Sequence, residues 1–268
     1  MALNPSLARG LTRALNPSII RAAAGGGGPA AFDKDTVAGL ELWLDAEDAS
    51  TITGTASLVD AWTDKSDAGN DVGGTLAERP SQVTINSLNA IRFDSGELME
   101  LASASVTGLD GPNMTIFVVG NKQFDEADSW PGVIARGSGA WDNGWRMGPI
   151  DAGGSGVAWS VRSYIADVAT ISSTATGADA FHLWAADHED TGEVKNTYLN
   201  NAFVATDTSG LLSTAAGQDL TVGQPGANTT YAMWGSIGEV LIYDSVLSAE
   251  DRLTVSQYLA TKWGITLP

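Results

Sequence analysis

The end of the chain predicts a buried β-strand followed directly by one amphipathic helix. Residues 237–243 are dense in β-branched and aromatic side chains, and Glu239 is the one charged residue among them. Ser248 is a suitable N-cap, and Gly264 stands where a left-handed residue would end a helix. Between these two residues, one helical face is apolar and carries Val255, Tyr258, Leu259 and Trp263. A single short helix of this kind must pack on a sheet, so the preceding residues must supply that sheet.

The residues from 33 onward predict short strands separated by turns. The chain contains 31 glycines, and 43% of its residues are hydrophobic, which suffices for one large core. The predicted strands before the terminal one span residues 40–45, 59–62, 82–85, 90–93, 114–119, 133–135, 144–147, 157–162, 181–186, 194–199, 202–206 and 220–223. This pattern predicts an all-β fold: a two-sheet antiparallel sandwich with one short C-terminal helix, in a single domain spanning residues 33–268.

Two local patterns in the predicted strands make specific structural predictions. Leu40, Leu42 and Leu44 alternate along the first strand and are therefore predicted to share one face. Asn200 and Asn201 predict a tight turn between two strands, because asparagine tolerates positive φ.

Residues 1–24 differ from the rest of the chain in charge and contain an internal repeat. Residues 2–9 have the sequence ALNPSLAR, which returns in residues 14–21 as ALNPSIIR. Residues 1–32 carry three arginines and no acidic residue, a net charge of +3, which leaves −21 for residues 33–268. Residues 25–32 are rich in glycine and predict a flexible linker.

A basic arm on an acidic body is compatible with two hypotheses, a disordered terminus or an attachment arm that becomes ordered in an assembly. The Asn-Pro breaks allow either an extended arm or two short helical pieces. Under the attachment hypothesis, the arm contacts other chains through the residues Leu3, Leu7, Arg9, Arg13, Leu15, Ile19, Ile20 and Arg21.

Charge and composition disfavour several classes of partner. The net charge of −18 disfavours nucleic acid as a ligand of the body. No apolar run approaches the roughly 18 residues that a membrane-spanning helix needs. The chain has no cysteine, hence no disulfide and no thiolate metal site, and its first residues lack the continuous apolar stretch of a secretory signal. We therefore expect neither nucleic-acid binding nor membrane insertion.

Segments near both ends of the body resemble one family. The similarity to the opening of concanavalin A-like, laminin G-type jelly rolls is carried by residues 42–51, 62–66, 79–80, 90–94 and 115–119. The similarity to the closing strand and helix of that family is carried by residues 237–244, 247–248 and 258–265. The resemblance covers residues 37–268 and implies a concanavalin A-like jelly roll. Such domains occur in bacteriophage structural proteins and bacterial surface proteins, and one sandwich serves lectins, hydrolases and adhesion modules. The arm also resembles the short N-termini of some phage tail and head appendage proteins.

The sequence does not present the carboxylate pair that glycoside hydrolysis requires. Retaining hydrolysis uses two carboxylates about 5–5.5 Å apart, and the resemblance implies alternate positions of one strand. Glu239 is alone in its predicted strand, and residues 187–190 (DHED) are predicted to be the solvated end of another. The two histidines, His182 and His188, do not favour a Ser-His-Asp site, and His182 is predicted to be a half-buried structural residue. We expect that the protein is not an enzyme.

One loop contains several oxygen ligands that calcium could use. Asp64, Asp67 and Asp71 are weak calcium candidates, together with the side-chain oxygens of Ser66 and Asn70. The spacing lacks the order of an EF-hand, and such loops commonly satisfy their own backbone instead. A second, weaker calcium candidate is formed by Asp45 and Asp48. No other cofactor is predicted.

Binding of a glycan is the more plausible activity. The chain has nine tryptophans, and several fall within predicted strands or the helix: Trp43, Trp62, Trp159, Trp184 and Trp263. Trp130, Trp141 and Trp145 instead lie in segments predicted as loop or strand edge, beside Asp142 and Asn143. Aromatic rings stack on the C–H faces of sugars while polar groups take the hydroxyls, so these five residues are the predicted carbohydrate site. The alternative is that the loop tryptophans fold back over the sandwich or pack against a neighbouring subunit.

These observations lead to one functional expectation and two alternatives. The expected function is a non-enzymatic bacteriophage virion structural protein, a head decoration, fibre or tail appendage on the particle surface. Residues 1–24 would anchor it to other virion proteins in a homo-oligomer, for which a trimer is one arrangement, while the sandwich adheres to glycans. The alternatives are a bacterial surface lectin-like adhesin and a glycan-degrading enzyme on the same fold.

Overall fold

A computed structural model describes residues 32–74, 79–94, 96–110, 113–122, 132–137, 144–148, 162–163, 180–189, 191, 194–208, 217–224 and 232–268. The described residues belong to one compact unit, Phe32–Pro268. The predicted arm contacts in residues 1–24, and the predicted linker apart from Phe32, lie outside the described residues.

The described residues form sixteen strands and one α-helix. In chain order the strands are β1 (Leu40–Asp45), β2 (Ile52–Thr55), β3 (Leu58–Trp62), β4 (Val72–Gly74), β5 (Ser81–Ile85), β6 (Leu88–Phe93), β7 (Met99–Leu101), β8 (Met114–Lys122), β9 (Ile134–Gly137), β10 (Gly144–Gly148), β11 (Arg162–Ser163), β12 (His182–Glu189), β13 (Val194–Leu199), β14 (Ala202–Asp207), β15 (Leu220–Val222) and β16 (Gly235–Tyr243). The helix α1 spans Ala249–Trp263.

The strands are arranged in two antiparallel sheets of eight strands each, counted over the described residues. Sheet A has the order β14-β13-β12-β8-β16-β6-β5, and β1 also pairs with β16. Sheet B has the order β11-β10-β9-β15-β7-β4-β3-β2. The predicted two-sheet antiparallel sandwich with one short C-terminal helix is confirmed.

The central strands of sheet A are buried on both faces, and the sheet divides the core into two clusters. The inter-sheet cluster lies between the two sheets and includes Leu42, Ile116 and Val240 from sheet A with Trp62 from sheet B. The helix-side cluster lies between sheet A and α1 and includes Phe117, Leu241, Val255, Leu259 and Trp263. Because a regular strand alternates its side chains between its two faces, Val240 lies in the inter-sheet cluster and Leu241 in the helix-side cluster, and all nine residues of β16 are buried.

The predicted strand and helix at the end of the chain are confirmed. The Ser248 side chain accepts a hydrogen bond from the backbone N–H of Asp251 at 3.1 Å, which caps the helix. Gly264 ends the helix in the left-handed conformation, with φ of 67°. Of the predicted apolar stripe, Val255, Leu259 and Trp263 are buried and Tyr258 is partly buried.

The first strand departs from its predicted pattern. The pairing of β1 with β16 shifts register between Leu40 and Leu42, so that Glu41 is an extra residue. As a result Leu42 and Leu44 join the inter-sheet cluster, while Leu40 packs against the helix-side cluster. The prediction that Leu40, Leu42 and Leu44 share one face was therefore wrong, because a bulge reverses the alternation.

Two hairpin turns occur at asparagine residues with positive φ. Asn200 and Asn201 have φ of 49° and 65°, and they connect β13 to β14 as predicted. Asn86 and Ser87, with φ of 52° and 67°, form the corresponding turn between β5 and β6. Among the described residues, no helix has the length and apolarity needed to cross a membrane.

Candidate functional site

The structure describes one of the five residues that were predicted to bind carbohydrate. Trp130, Trp141, Asp142 and Asn143 lie outside the described residues. Trp145 lies in β10 and is 3% exposed, within the inter-sheet cluster. Its indole Nε1 donates to the backbone carbonyl of Leu109 at 3.4 Å. Trp145 is therefore a core residue, and its prediction as part of an exposed sugar platform was wrong because it faces the interior of the sandwich.

The predicted calcium loop is organised around one aspartate that satisfies backbone donors. Asp64 is 8% exposed. Its Oδ1 accepts from the backbone N–H groups of Trp43 and Ser66, both at 2.8 Å. Its Oδ2 accepts from the Ser66 hydroxyl at 2.6 Å and the Asn70 backbone N–H at 2.8 Å. Four donors thus surround the carboxylate, which is the turn chemistry considered above as the alternative to metal binding.

The described residues do not contain a group of three or more His, Asp or Glu side chains that could hold a metal ion. Asp67 is exposed and pairs with Lys34, whereas Asp71 accepts from the backbone N–H of Asp64 at 2.8 Å. Asp64, Asp67 and Asp71 therefore do not converge on one point, and the calcium candidate was wrong. At the second calcium candidate, Asp45 and Asp48, a lysine of the chain already supplies the cation. The ammonium of Lys65 lies 2.9 Å from Asp45 and 2.8 Å from Asp48. The bond from Lys65, supported by Ser50, lowers the pKa of Asp48 to about 2.

A carboxylate pair is nevertheless present, across two strands rather than along one. Asp45 of β1 lies opposite Glu239 of β16 in the register of sheet A. The ammonium of Lys262 bridges the two carboxylates and lies 2.9 Å from Glu239. Asp45 is 4% exposed and Glu239 is fully buried. A search for pairs within single strands misses this arrangement, because it depends on which strands are neighbours.

Four donors hold Glu239. The indole Nε1 of Trp43 and the hydroxyl of Tyr258 donate to Oε1 at 2.7 Å and 2.6 Å. The indole Nε1 of Trp263 donates to Oε2 at 2.7 Å, and Lys262 contacts the same oxygen. Burial raises the pKa of Glu239, and so does the nearby charge of Asp45, while Lys262 and the hydrogen bond from Tyr258 oppose the rise.

The surroundings of this pair decide what it can do. Helix α1 and the first described residue lie over it, since the ring of Phe32 stacks on Tyr258 with 4.5 Å between centroids. Phe32 also meets Trp43 edge-on at 5.5 Å. With Glu239 sealed from solvent and its oxygens engaged, the pair fastens the helix to the sheet and offers no position for a substrate.

The end of β12 also differs from its prediction. Asp187 and His188 were predicted to be solvated, but they are 3% and 2% exposed. Burial, together with the neighbouring charge of Lys195, lowers the pKa of His188 to about 3. The wrong assignment arose because a run of polar residues suggested a strand end, whereas β12 continues through Glu189 between β8 and β13. His182 is half-buried, as predicted.

A surface pocket of about 280 Å³ lies at the start of the described chain. Its lining consists of Lys34, Asp35, Val37, Ala38, Gly39, Leu40, Glu41, Ser66 and Asp67. Burial raises the pKa of Glu41, with further contributions from the charges of Asp244 and Asp64. Because Lys34 already pairs with Asp35 and Asp67, the chain itself partly neutralises the acidic rim of the pocket.

Sequence comparison finds no relative of this chain: no family model matches it, and no curated protein matches it. Solved structures do match its fold. Domain 4 of AbnA, a GH43 extracellular arabinanase from Geobacillus stearothermophilus, in complex with arabinotriose, aligns with a TM-score of 0.54 and 10% identity. That alignment covers 82% of this chain and 98% of the arabinanase domain.

Sialidases show a similar likeness. Trypanosoma rangeli sialidase in complex with sialic acid aligns with a TM-score of 0.57 and 12% identity, covering 84% of this chain and 33% of the sialidase. A mutant of that sialidase displaying trans-sialidase activity aligns with a TM-score of 0.59. This chain spans about a third of the length of these sialidases. At such identities the likeness is one of fold, and the fold is a two-sheet β-sandwich.

Proposed function

We propose that this protein is a non-enzymatic, glycan-binding sandwich domain carried by a bacteriophage virion structural protein. The observation that carries the glycan-binding part is the match to domain 4 of the arabinanase, of which 98% is covered. That structure is a complex with arabinotriose, so a neighbour that matches over nearly its whole length was solved with an oligosaccharide. The similarity therefore favours recognition of a sugar by the sandwich itself.

The carboxylates support binding rather than hydrolysis. Asp45 and Glu239 are the carboxylates that the described sheet register places opposite each other. Both are buried, and both are paired with Lys262. Most glycoside hydrolases place one protonated and one ionised carboxyl group on either side of a bound glycosidic bond. A pair sealed beneath a helix does not meet that requirement.

The phage part of the proposal rests on the arm and on the resemblance of the body. Three arginines and no acidic residue in residues 1–32, ahead of a body with net charge −21, suit an arm that is fastened to a different surface. The alternative setting, a bacterial surface adhesin, uses the same sandwich for the same chemistry. The two settings are separated by where the arm is found, in a particle or in a cell envelope.

Binding of glycans by the full chain is the decisive test. Purified protein is applied to a glycan array that includes arabino-oligosaccharides, and the affinity for each bound glycan is then measured by calorimetry. We expect binding in the micromolar to millimolar range without release of reducing sugar. Trp141→Ala is measured beside the wild type as a test of the predicted loop platform. Failure of the wild-type protein to bind any glycan would refute the proposal. Release of reducing sugar would show that the protein is an enzyme.

A further inference from the structure

An aromatic ring stands exposed on the helix side of sheet A, at the edge formed by β13 and β14. Phe203 is 60% exposed, the highest value among the large apolar side chains of the described residues. A single exposed apolar side chain needs no explanation. The exposure of Phe203 does need an explanation, because of the residues that surround it and the way in which the backbone places its side chain.

A β-bulge sets the position of the ring. The pairing of β13 with β14 shifts register between Thr197 and Tyr198, so that Tyr198 lies opposite Phe203. Without the bulge, Val204 would lie opposite Tyr198, and Phe203 would face the inter-sheet side. Tyr198 belongs to the helix-side cluster, and its ring meets that of Phe203 at 5.9 Å with an interplanar angle of 69°. The bulge therefore turns a large aromatic side chain toward solvent beside a buried one.

A buried aspartate makes the support beneath the ring rigid. The hydroxyl of Tyr198 donates to Asp187 at 2.9 Å, and the amide Nδ2 of Asn196 donates to the other carboxylate oxygen at 2.7 Å. The guanidinium of Arg252 lies 4.0 Å from the centre of the Tyr198 ring and 3.6 Å from Asp187. The charge of Asp187 is thus compensated from three sides, and Tyr198 is clamped between its neighbours.

Two polar side chains lie on the same sheet face as the ring; Thr206 is exposed and Asn196 is partly buried. Asn196 lies opposite Thr206 in the strand register, on the same face as Tyr198 and Phe203. Because Nδ2 of Asn196 is committed to Asp187, its Oδ1 is the atom available to accept a further hydrogen bond. The exposed hydroxyl of Thr206 can donate or accept. An aromatic face, an amide acceptor and a hydroxyl thus lie within two rows of one sheet face.

We propose that Phe203, Asn196 and Thr206 form a binding site for an uncharged sugar ring of a glycan. Phe203 would stack on the C–H face of the sugar, while Asn196 and Thr206 would bind its hydroxyl groups. This inference rests on the proposed glycan-binding function and assigns it a site. It also predicts the ligand class: because the three side chains are uncharged and the protein carries a net charge of −18, we expect a neutral sugar rather than an acidic one.

The size of the site favours a sugar over a protein partner. One ring and two polar groups supply the kinds of contact that a single monosaccharide can make. A stable protein interface buries about 800 Å² on each partner, with several anchoring side chains. A second copy of the chain bound at this edge is the competing occupant, and size exclusion distinguishes it from a sugar.

The test uses the full chain and an array of neutral and acidic glycans, followed by calorimetry with the best neutral ligand. Phe203→Ala is expected to weaken binding about tenfold, which is the size of effect that aromatic stacking produces. Phe203→Tyr, which keeps the ring, is expected to bind like the wild type. Leu58→Ala is the matched control, because Leu58 is 42% exposed on sheet B and its loss leaves the proposed site intact. Circular dichroism confirms that each variant is folded.

The possible outcomes are distinct. If the wild-type protein binds glycans and Phe203→Ala binds equally well, the site is wrong and the glycan-binding function stands. If the wild-type protein binds no glycan, both the proposed glycan-binding function and the proposed site are refuted. Preference for acidic glycans contradicts the inferred ligand class. If Phe203→Ala changes the oligomeric state on size exclusion while leaving glycan affinity unchanged, the patch is a contact between copies of the chain and the inference is overturned.

Discussion

Glu239 shows how one buried side chain joins three parts of the molecule. Its oxygens accept hydrogen bonds from Trp43 of β1 and from Tyr258 and Trp263 of α1, and Lys262 supplies the countercharge. Desolvation of a carboxylate is costly, and these donors offset the cost by replacing the water that the group loses. The arrangement therefore stabilises the fold as long as all four partners are present. Removal of the negative charge of Glu239 should destabilise the fold.

We expect Glu239→Gln to lower the free energy of unfolding by about 3 kcal/mol, because the amide nitrogen would face donors and Lys262 would lose a countercharge. Urea denaturation followed by tryptophan fluorescence measures the change. Glu250→Gln is the matched control, since Glu250 is exposed in the first turn of the same helix and its loss should cost a few tenths of a kcal/mol. Equal stabilities for the two variants would show that Glu239 does not fasten the helix.

His188 predicts the response of the protein to acid. Its pKa falls from 6.5 to about 3 on folding, because burial disfavours the charged form. Between these values the unfolded chain binds a proton that the folded chain does not, so the free energy of unfolding falls as the pH falls. The slope approaches about 1.4 kcal/mol per pH unit, and the contribution is fully present above pH 6.5. The chain has two histidines, so NMR can follow each ring directly.

We expect the ring signals of His188 to remain those of neutral imidazole down to about pH 4. The variant His188→Gln should show a shallower dependence of stability on pH across this window. His182→Gln serves as the control for removal of a histidine from the same strand. Titration of His188 near pH 6.5 in the folded protein would contradict the expectation.

At the scale of elements, a glycine brings β16 and α1 into contact. The pairing of β16 with β8 shifts register between Ile237 and Glu239, and Gly238 is the extra residue. A Cβ atom added at Gly238 would lie 2.4 Å from the ring of Trp263. The indole therefore lies directly on the backbone of the central strand, in the position from which it donates to Glu239.

Gly238→Ala should accordingly destabilise the protein by about 1–3 kcal/mol, since the helix must shift to relieve the contact. Thermal melting measures the loss, and the matched control is Gly73→Ala. A Cβ atom added at Gly73 would meet its nearest neighbour at an ordinary 3.5 Å. A melting temperature for Gly238→Ala no lower than that of Gly73→Ala would mean that the helix does not depend on this close approach.

The elements differ in how far the sequence predicts them. The terminal strand and helix carry strong local signals, namely β-branched residues, an N-cap and a glycine stop, and they were predicted closely. Short strands such as β4 and β7 have three residues each and were missed, because their pairing partners rather than their own residues define them. Bulges at Glu41 and Gly238 reverse an alternation that the sequence pattern assumes to be continuous.

The candidate sites were harder to predict than the fold for a related reason. The Asp45–Glu239 pair and the Phe203 patch both arise from cross-strand neighbours, which are unknown until the strand order is known. Trp145 was assigned to a loop or strand edge because it directly follows a glycine-rich segment that ends at Gly144, but β10 directs its side chain inward. Polar residues in the middle of β12 were mistaken for a strand end, since burial of Asp187 depends on Asn196 and Tyr198 from the next strand.

At the scale of the whole molecule, we expect residues 1–24 to be responsible for attachment and residues 33–268 to fold without them. The described residues contain both hydrophobic clusters and all belong to the unit Phe32–Pro268. Deleting residues 1–28 should therefore leave the melting temperature of the body within a few degrees of the full chain, because all the described residues of both clusters lie in the part of the chain that remains.

The same deletion should abolish incorporation of the protein into particles, which is measured by co-sedimentation with assembled virions. A charge-reversed arm, with Arg9, Arg13 and Arg21 changed to Glu, tests whether attachment depends on the positive charge rather than on chain length. Particles that retain the truncated protein at wild-type levels would contradict the anchoring role of the arm. A truncated chain that fails to fold would contradict the independence of the body.

The position of β16 has a consequence for biosynthesis. This strand lies in the middle of sheet A, where it pairs with β8, β6 and β1, yet it is the last strand of the sandwich to leave the ribosome. Until it emerges, β1 and β6 lack the neighbour that joins them to β8, and the apolar faces on both sides of the gap are open to other nascent chains. Sheet A can therefore be completed only after translation of the sandwich is nearly finished.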